Sequence, residues 1–326
     1  MRKCLLLLLA LVLCLLTGLA GAETAYRAGD TVGAYTVTDV RSFDSLGAEL
    51  VTLDHNATHA TVLLVLNEDT NRTFQIGFRT VAENEHGTPH VFEHATLGGS
   101  EKYPSADLFF NLSFQTYNTF MNAVTYPYMT IYPCASLSEE QLLEYADFYV
   151  DSCFHPLIMT DESLFRQEAW RYQLDSAEDE LTITGTVYNE MAGAYDLSRA
   201  ALFNSWKAAF PGSTAGNMSG GLPSDIPEMT WEELQAYHDK YYHPSNSLTI
   251  VYGKLEQPEA FLELLDGYFS QYEARDYSNA FPDSDYVPLT ESTEQVYTYA
   301  AEAGTSTEKN SAVYYTFICK GATNED

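Results

Sequence analysis

Two histidines and a glutamate fall within five residues at His90-Val91-Phe92-Glu93-His94, inside the longer stretch GTPHVFEHATLGGSEKYP from Gly87 to Pro104. Imidazole nitrogens are ligands for zinc, and a carboxylate beside them can take and return a proton. This chemistry requires the two histidines to share one face. Thr88 suits a helix N-cap, Pro89 the first helical position and Gly98-Gly99 a stop, so the spacing predicts a helix from about Pro89 to Leu97. Residues four apart then project from one side, and His90 and His94 can hold one ion between them. Glu93 lies close to that face, within reach of a water rather than of the ion. The order H-x-x-E-H inverts the H-E-x-x-H arrangement of other zinc peptidases. A solvated helix with two surface histidines gives the same local pattern, so the motif needs its context.

The elements around the motif read as a mixture of sheet and helix. Tyr35–Val40, Glu49–Leu53, Ala60–Leu66 and Phe74–Arg79 carry the Val, Thr, Leu and Phe of strands, separated by polar turns. Thr61–Leu66 is continuously apolar, which predicts a central strand buried on both faces. Tyr117–Thr125 and Tyr128–Pro133 read as two more strands. Ser138 with Gln141 forms a capping box for a helix to about Cys153, with the apolar stripe Leu142, Ala146, Tyr149 and Cys153. Thr160 is expected to cap a helix to about Leu174, with Trp170 and Tyr172 in the core and no chemistry on that element. A helix from near Thr186 carries Glu190 at the edge of the stripe Val187, Met191 and Ala194. A carboxylate that starts at a packed face needs a partner, for which a metal ion is one candidate. Asp196 and the acidic run Glu178–Glu180 compete for the same part. Gly220-Gly221 is a turn, because no Lys-Ser/Thr follows as in a phosphate loop. Thr230 with Glu233 caps a helix to about Tyr242, His238 and His243 serve packing or a cap, Ser247–Tyr252 returns as a strand, and Pro258–Ser270 is amphipathic helix.

These stretches resemble the active-site half of the inverzincin metallopeptidases, the insulinase or pitrilysin family, and most of all its presequence-protease branch. The resemblance runs through GTPHVFEHATLGGSEKYP, TFMNAVTYP at Thr119–Pro127, QEAWRYQL at Gln167–Leu174, TVYNEMAGAY at Thr186–Tyr195, SGGLPSDIPEMTWEELQAYHDKYYHPSNS at Ser219–Ser247 and VYG at Val251–Gly253. It implies an α+β domain, with a mixed sheet packed against helices. It implies one zinc ion held by His90, His94 and a distal third ligand, Glu190, with Glu93 as the catalytic base. It further implies that the strand carrying Asn122 and Ala123 is an edge that pairs with a peptide substrate, main chain to main chain. An ordinary strand with Asn122 at a turn fits the residues as well, and Pro127-Tyr128-Met129-Thr130 departs from the charged residues common in relatives. Members of the branch are longer, with a second half that supplies an arginine and a tyrosine to the substrate; no residue of this chain takes those roles.

Residues 1–22 read as a secretory signal peptide, with Arg2 and Lys3 before the apolar run Leu5–Leu16 and Ala20-Gly21-Ala22 at the cleavage site. The run is short for a bilayer span of about 20 residues. The expectation is an exported protein, extracellular or in the cell envelope, with no transmembrane segment in its mature form. The catalytic domain is then 23–272, a polar, proline-bearing linker follows at 273–294, and residues 295–326 open an incomplete second domain through strands at Val296–Ala300 and Ala312–Ile318. With 16 Lys and Arg against 46 Asp and Glu the net charge is −30, which argues against nucleic acid as a partner. Cys134, Cys153 and Cys319 are an odd, scattered set and do not form a disulfide framework. Asn56, Asn71, Asn111 and Asn217 each begin an N-x-S/T sequon. The function expected is a zinc endopeptidase acting on unfolded peptides or oligopeptides, as part of a longer two-halved enzyme or with a partner half. A non-catalytic zinc-binding or interaction subunit is the alternative.

Overall fold

A computed structural model describes residues 26–105, 108–278, 289, 291–298, 304, 306, 308 and 310–318. The expected leader at 1–22 and Cys319 lie outside these residues. The chain begins with five strands, β1 (Thr31–Val32), β2 (Tyr35–Phe43), β3 (Ala48–His55), β4 (Thr61–Leu66) and β5 (Arg72–Arg79). Helices α1 (Thr88–Thr96) and α2 (Leu108–Gln115) follow, then β6 (Asn118–Met121), β7 (Val124–Tyr126) and β8 (Met129–Ser136). Helices α3 (Glu139–Phe154) and α4 (Glu162–Glu168), the hairpin β9 (Arg171–Gln173) and β10 (Thr182–Thr184), and helices α5 (Thr186–Ala194), α6 (Leu197–Ala209) and α7 (Trp231–Tyr241) lead to β11 (Ser247–Gly253) and α8 (Pro258–Phe269). The fold is α+β, as expected.

One sheet organises the domain, in the order β1-β2-β3-β4-β11-β5-β8-β6, with β7 also paired to β8. Most neighbours are antiparallel, but β11 enters between β4 and β5, parallel to the first and antiparallel to the second. Helices cover one face. Val62, Leu64, Phe74, Ile76 and Val251 point into that layer and are fully buried, with Leu142, Tyr149, Phe261 and Leu265 from α3 and α8 opposite them. The other face is only half closed. In β4, Thr61, Leu63 and Leu66 are intermediate in exposure while Val62, Leu64 and Val65 are buried, so this strand is central in the sheet but not buried on both faces. A sheet with helices on one side needs an apolar residue only at alternate positions.

Ser138 and Thr230 cap their helices as expected, accepting from the amides of Gln141 and Glu233. The side chains of Gln141 and Glu233 bond elsewhere, to the Tyr117 amide and to Asn84, His86 and Thr88, so each box is present only in its N-cap half. Other expectations shift for local reasons. Asp161, not Thr160, caps α4, because a carboxylate there accepts from the Ser163 amide at 2.9 Å. That helix stops at Glu168, and Arg171–Gln173 turns away to pair with Thr182–Thr184. Tyr172 is consequently 63 % exposed, whereas Trp170 is partly buried and donates to the Met229 carbonyl at 2.9 Å. Helices α2 and α6 were not expected. Asp196 accepts from the Arg199 amide and so caps α6. Cys134 and Cys153 are buried free thiols. Among the described residues of 291–298 and 310–318 there is no strand, and Val313, Tyr315 and Phe317 are 79 %, 83 % and 83 % exposed. Two short apolar segments with no sheet beside them have nowhere to bury their side chains. No helix among the described residues is long and apolar enough to cross a membrane.

Candidate metal centre

The helix that presents the histidines starts from a glycine rather than from a side-chain cap. Gly87 adopts φ +75°, in the left-handed region, and its carbonyl accepts from the amides of His90 and Val91, both at 3.0 Å. Thr88 is inside the helix, not its cap. The reason is a close backbone crossing. A methyl group on Gly87 would lie 2.7 Å from the Gly220 carbonyl oxygen and 2.9 Å from Cα of Gly221, so only glycine fits. Val91, Phe92 and Ala95 are fully buried on the opposite side of α1, where Phe92 packs on the rings of Tyr237, His238 and Tyr242.

His90 and His94 consequently face outward together, with ring centroids 4.9 Å apart. Helix α5 brings Glu190 across from them: its Oε2 lies 3.7 Å from Nε2 of His90 and 3.6 Å from Nε2 of His94. One ligand atom from each of the three residues can be chosen so that all lie within 4.8 Å of one another. Tetrahedral zinc with bonds of about 2.1 Å has neighbouring ligand atoms about 3.4 Å apart, so a small inward adjustment accommodates the ion. Asp196 and Glu178–Glu180 do not join this group; the first caps a helix and the others are exposed.

The electrostatics separate the two rings. Burial, and next the charge of His94, hold His90 below the ordinary imidazole value; its Nδ1 is buried beside Gly220. Burial also lowers His94, but Glu168, Glu93 and Glu190 outweigh it and leave this ring above its ordinary value. Glu168 is the residue that sequence reasoning missed. It stands at the end of α4, with its carboxylate 3.6 Å from Nδ1 of His94 and a 2.8 Å hydrogen bond from Gln167. Burial would raise its pKa, but the bonds from His94 and Gln167 outweigh this and hold it below the usual carboxylate range. A carboxylate on the outer nitrogen of a ligating histidine fixes the ring and strengthens it as a donor. The available signal was Gln167-Glu168 at the head of the QEAWRYQL segment.

Glu93 is 8 % exposed, on the same helix as both histidines. Asn122 and Ala123 fall in the gap between β6 and β7 rather than within one strand, at the edge of the sheet. The Asn122 amide donates to the Pro133 carbonyl at 3.2 Å and its carbonyl accepts from Tyr149 at 3.0 Å, so both backbone groups face inward. Its side chain is exposed, and Ala123 is buried.

Comparison with known proteins identifies the family. The profile of the insulinase family, peptidase family M16, matches residues 55–202, which contain all three candidate ligands, and that of the M16 inactive domain matches residues 228–326. The chain belongs to the insulinase family, as a presequence-protease-like N-terminal part. It is 37 % identical to presequence protease 1 of Arabidopsis thaliana, over 72 % of this chain and 22 % of the relative. Identity to the mitochondrial presequence protease of Mus musculus is 34 %, over 79 % and 25 %, and to protein HypA of Clostridium perfringens 35 %, over 77 % and 26 %. The chain thus spans about a quarter of the length of these relatives. Among solved structures, pitrilysin superposes with a TM-score of 0.57 at 20 % identity, over 74 % of this chain and 25 % of pitrilysin, and a Helicobacter pylori protease with 0.56 at 17 %, over 73 % and 52 %. These two likenesses speak for the fold.

Proposed function

We propose that this chain carries the catalytic zinc site of an endopeptidase that hydrolyses unfolded peptides or oligopeptides. The observation that carries the reading is the convergence of His90, His94 and Glu190 from two helices, with Glu93 beside them on α1. Those three residues would hold the ion, which when bound supplies a Lewis acid that polarises a carbonyl and brings the pKa of water toward about 7. Glu93 accepts the proton of the attacking water and later passes it to the leaving amine. Its low exposure favours that exchange, because few other waters compete for its oxygens. Glu168 orients His94 from behind. The peptide adds to the sheet edge at β6 and β7, where the Asn122 side chain reaches it.

In this reading residues 23–272 are the catalytic domain, residues 273–294 the linker and residues 295–326 the opening of a second, exported through the leader at 1–22. A partner half completes the enclosure. The side chain of Glu190 is 54 % exposed, which leaves one side of the site open to such a partner. That openness also favours a second reading, a zinc-binding subunit without turnover of its own. Purified residues 23–326 are assayed for zinc content and for cleavage of a fluorogenic peptide, beside Glu93→Gln. One zinc with cleavage that falls by about 10²–10⁴ in Glu93→Gln supports the endopeptidase. One zinc without cleavage supports the subunit, and the absence of zinc refutes both.

A further inference from the structure

The loop that leads into α1 is tied to α7 at two carboxylates: Glu83 accepts from Lys240 and Tyr241 at the end of that helix, and Glu233 in its first turn gathers the residues nearest α1. Glu233 accepts from Asn84 Nδ2 at 2.9 Å, from Thr88 Oγ1 at 3.0 Å, and pairs with His86 Nδ1 at 2.9 and 3.1 Å. Donors at alternate positions of one short loop therefore converge on one group. The last of them, Thr88, is 5 % exposed and stands two residues before His90. Glu233 is itself fixed, since its amide donates to Thr230 Oγ1 at 3.1 Å in the first turn of α7.

An exposed ion pair contributes little to a fold. This carboxylate is different in placement: its side chain is 29 % exposed and that of His86 19 %. Its charge also stands beside the amino end of α1, where a helix favours an anion. From the other side of the loop, Glu85 accepts from the Met218 amide at 2.9 Å and from Lys207 at 3.1 Å. Only Glu233, of these two acids, is bonded to a residue of α1 itself.

Resting on the zinc reading above, we infer that Glu233 is a positioning residue for the metal centre. It holds Thr88 and His86, and through them the first turn of α1, so that His90 meets His94 and Glu190. It touches neither ion nor substrate. Its loss loosens the site rather than removing a ligand.

The test compares the purified chain with Glu233→Ala and Glu233→Gln in two measurements. Zinc affinity is read by competition with a chromophoric chelator, and amide hydrogen exchange is read at His90 and Val91, whose N–H groups bond Gly87. Glu233→Ala should weaken zinc by about tenfold or more, as loss of an outer partner does, and speed exchange at both amides. Glu233→Gln keeps one acceptor oxygen for Thr88 and should recover part of each effect. Unchanged zinc affinity and unchanged exchange in Glu233→Ala would overturn the inference, even if its melting temperature fell. If the parent chain bound no zinc the metal reading would fail, and exchange at His90 and Val91 would still decide whether Glu233 holds the helix.

Discussion

Replacing Gly87 with alanine puts one methyl group where the backbone of the Gly220-Gly221 turn crosses the start of α1. Two costs follow from the structure. An L-residue at φ +75° costs about 1–2 kcal/mol, the penalty of the left-handed region. The methyl group would also lie 2.7 Å from the Gly220 carbonyl oxygen, a backbone atom that cannot rotate away. Overpacking of this kind costs about 1–3 kcal/mol, so the sum is about 2–5 kcal/mol. Gly33→Ala isolates the first cost, because Gly33 has φ +57° and a methyl group there meets nothing within 4 Å. Urea unfolding of both variants, with zinc affinity measured in parallel, separates the contributions. Gly87→Ala should lose clearly more stability than Gly33→Ala, and it should bind zinc more weakly because the shifted turn lies against His90. Equal losses, within about 0.5 kcal/mol, together with unchanged zinc affinity would refute the claim that this crossing sets the site.

Two further outcomes are expected. Glu168→Gln keeps the shape beside His94 but removes the charge, and zinc affinity should fall about 10-fold to 100-fold while the ligands remain; an unchanged affinity in chelator competition would remove Glu168 from the site. His243 is 4 % exposed, and burial together with the nearby Arg275 charge lowers its pKa from 6.5 to about 4. Because the unfolded chain binds this proton first, stability is full above about pH 6.5 and falls as pH drops toward 4. The unscreened loss is about 3 kcal/mol, and screening of the exposed Arg275 charge reduces it to about 1–2 kcal/mol. His243 caps the turn at Pro244–Asn246 by accepting from the Ser245 amide. His243→Asn preserves that cap, so its unfolding free energy should be flatter between pH 7 and 4; parallel curves would contradict the assignment.

Local patterns carried much of the fold. Ser138 with Gln141 and Thr230 with Glu233 are bonds between residues three apart, and His90 with His94 shares one helical face, so each was legible from spacing. Four of the first five strands, β2 to β5, followed from composition in the same way; the two-residue β1 did not. What failed depended on distant chain. Gly87 displaces Thr88 as the cap because another backbone segment crosses it, which no local rule records. Glu168 could not be chosen among 46 acidic side chains without knowing that α4 ends beside His94. Glu190 was a candidate from its place beside the stripe Val187, Met191 and Ala194, but its role as third ligand was reached through resemblance, because spacing alone does not select it over Asp196, which caps α6. Tyr172 looked like core because it is aromatic, yet the chain had already left the helix and entered an exposed hairpin.

The insertion of β11 between β4 and β5 sets an order for biosynthesis. Every residue of the candidate centre, from His90 to Glu190, leaves the ribosome before Ser247. Until Ser247–Gly253 follows, β4 and β5 have no partner to join them, and the platform beneath α1 stands divided. At about 5–20 residues per second, the nascent chain carries all of its ligands for several seconds before the sheet that arranges them can close. On the zinc reading proposed above, capture of the ion follows that closure, and a cell that meets the unfinished chain meets an open sheet edge first.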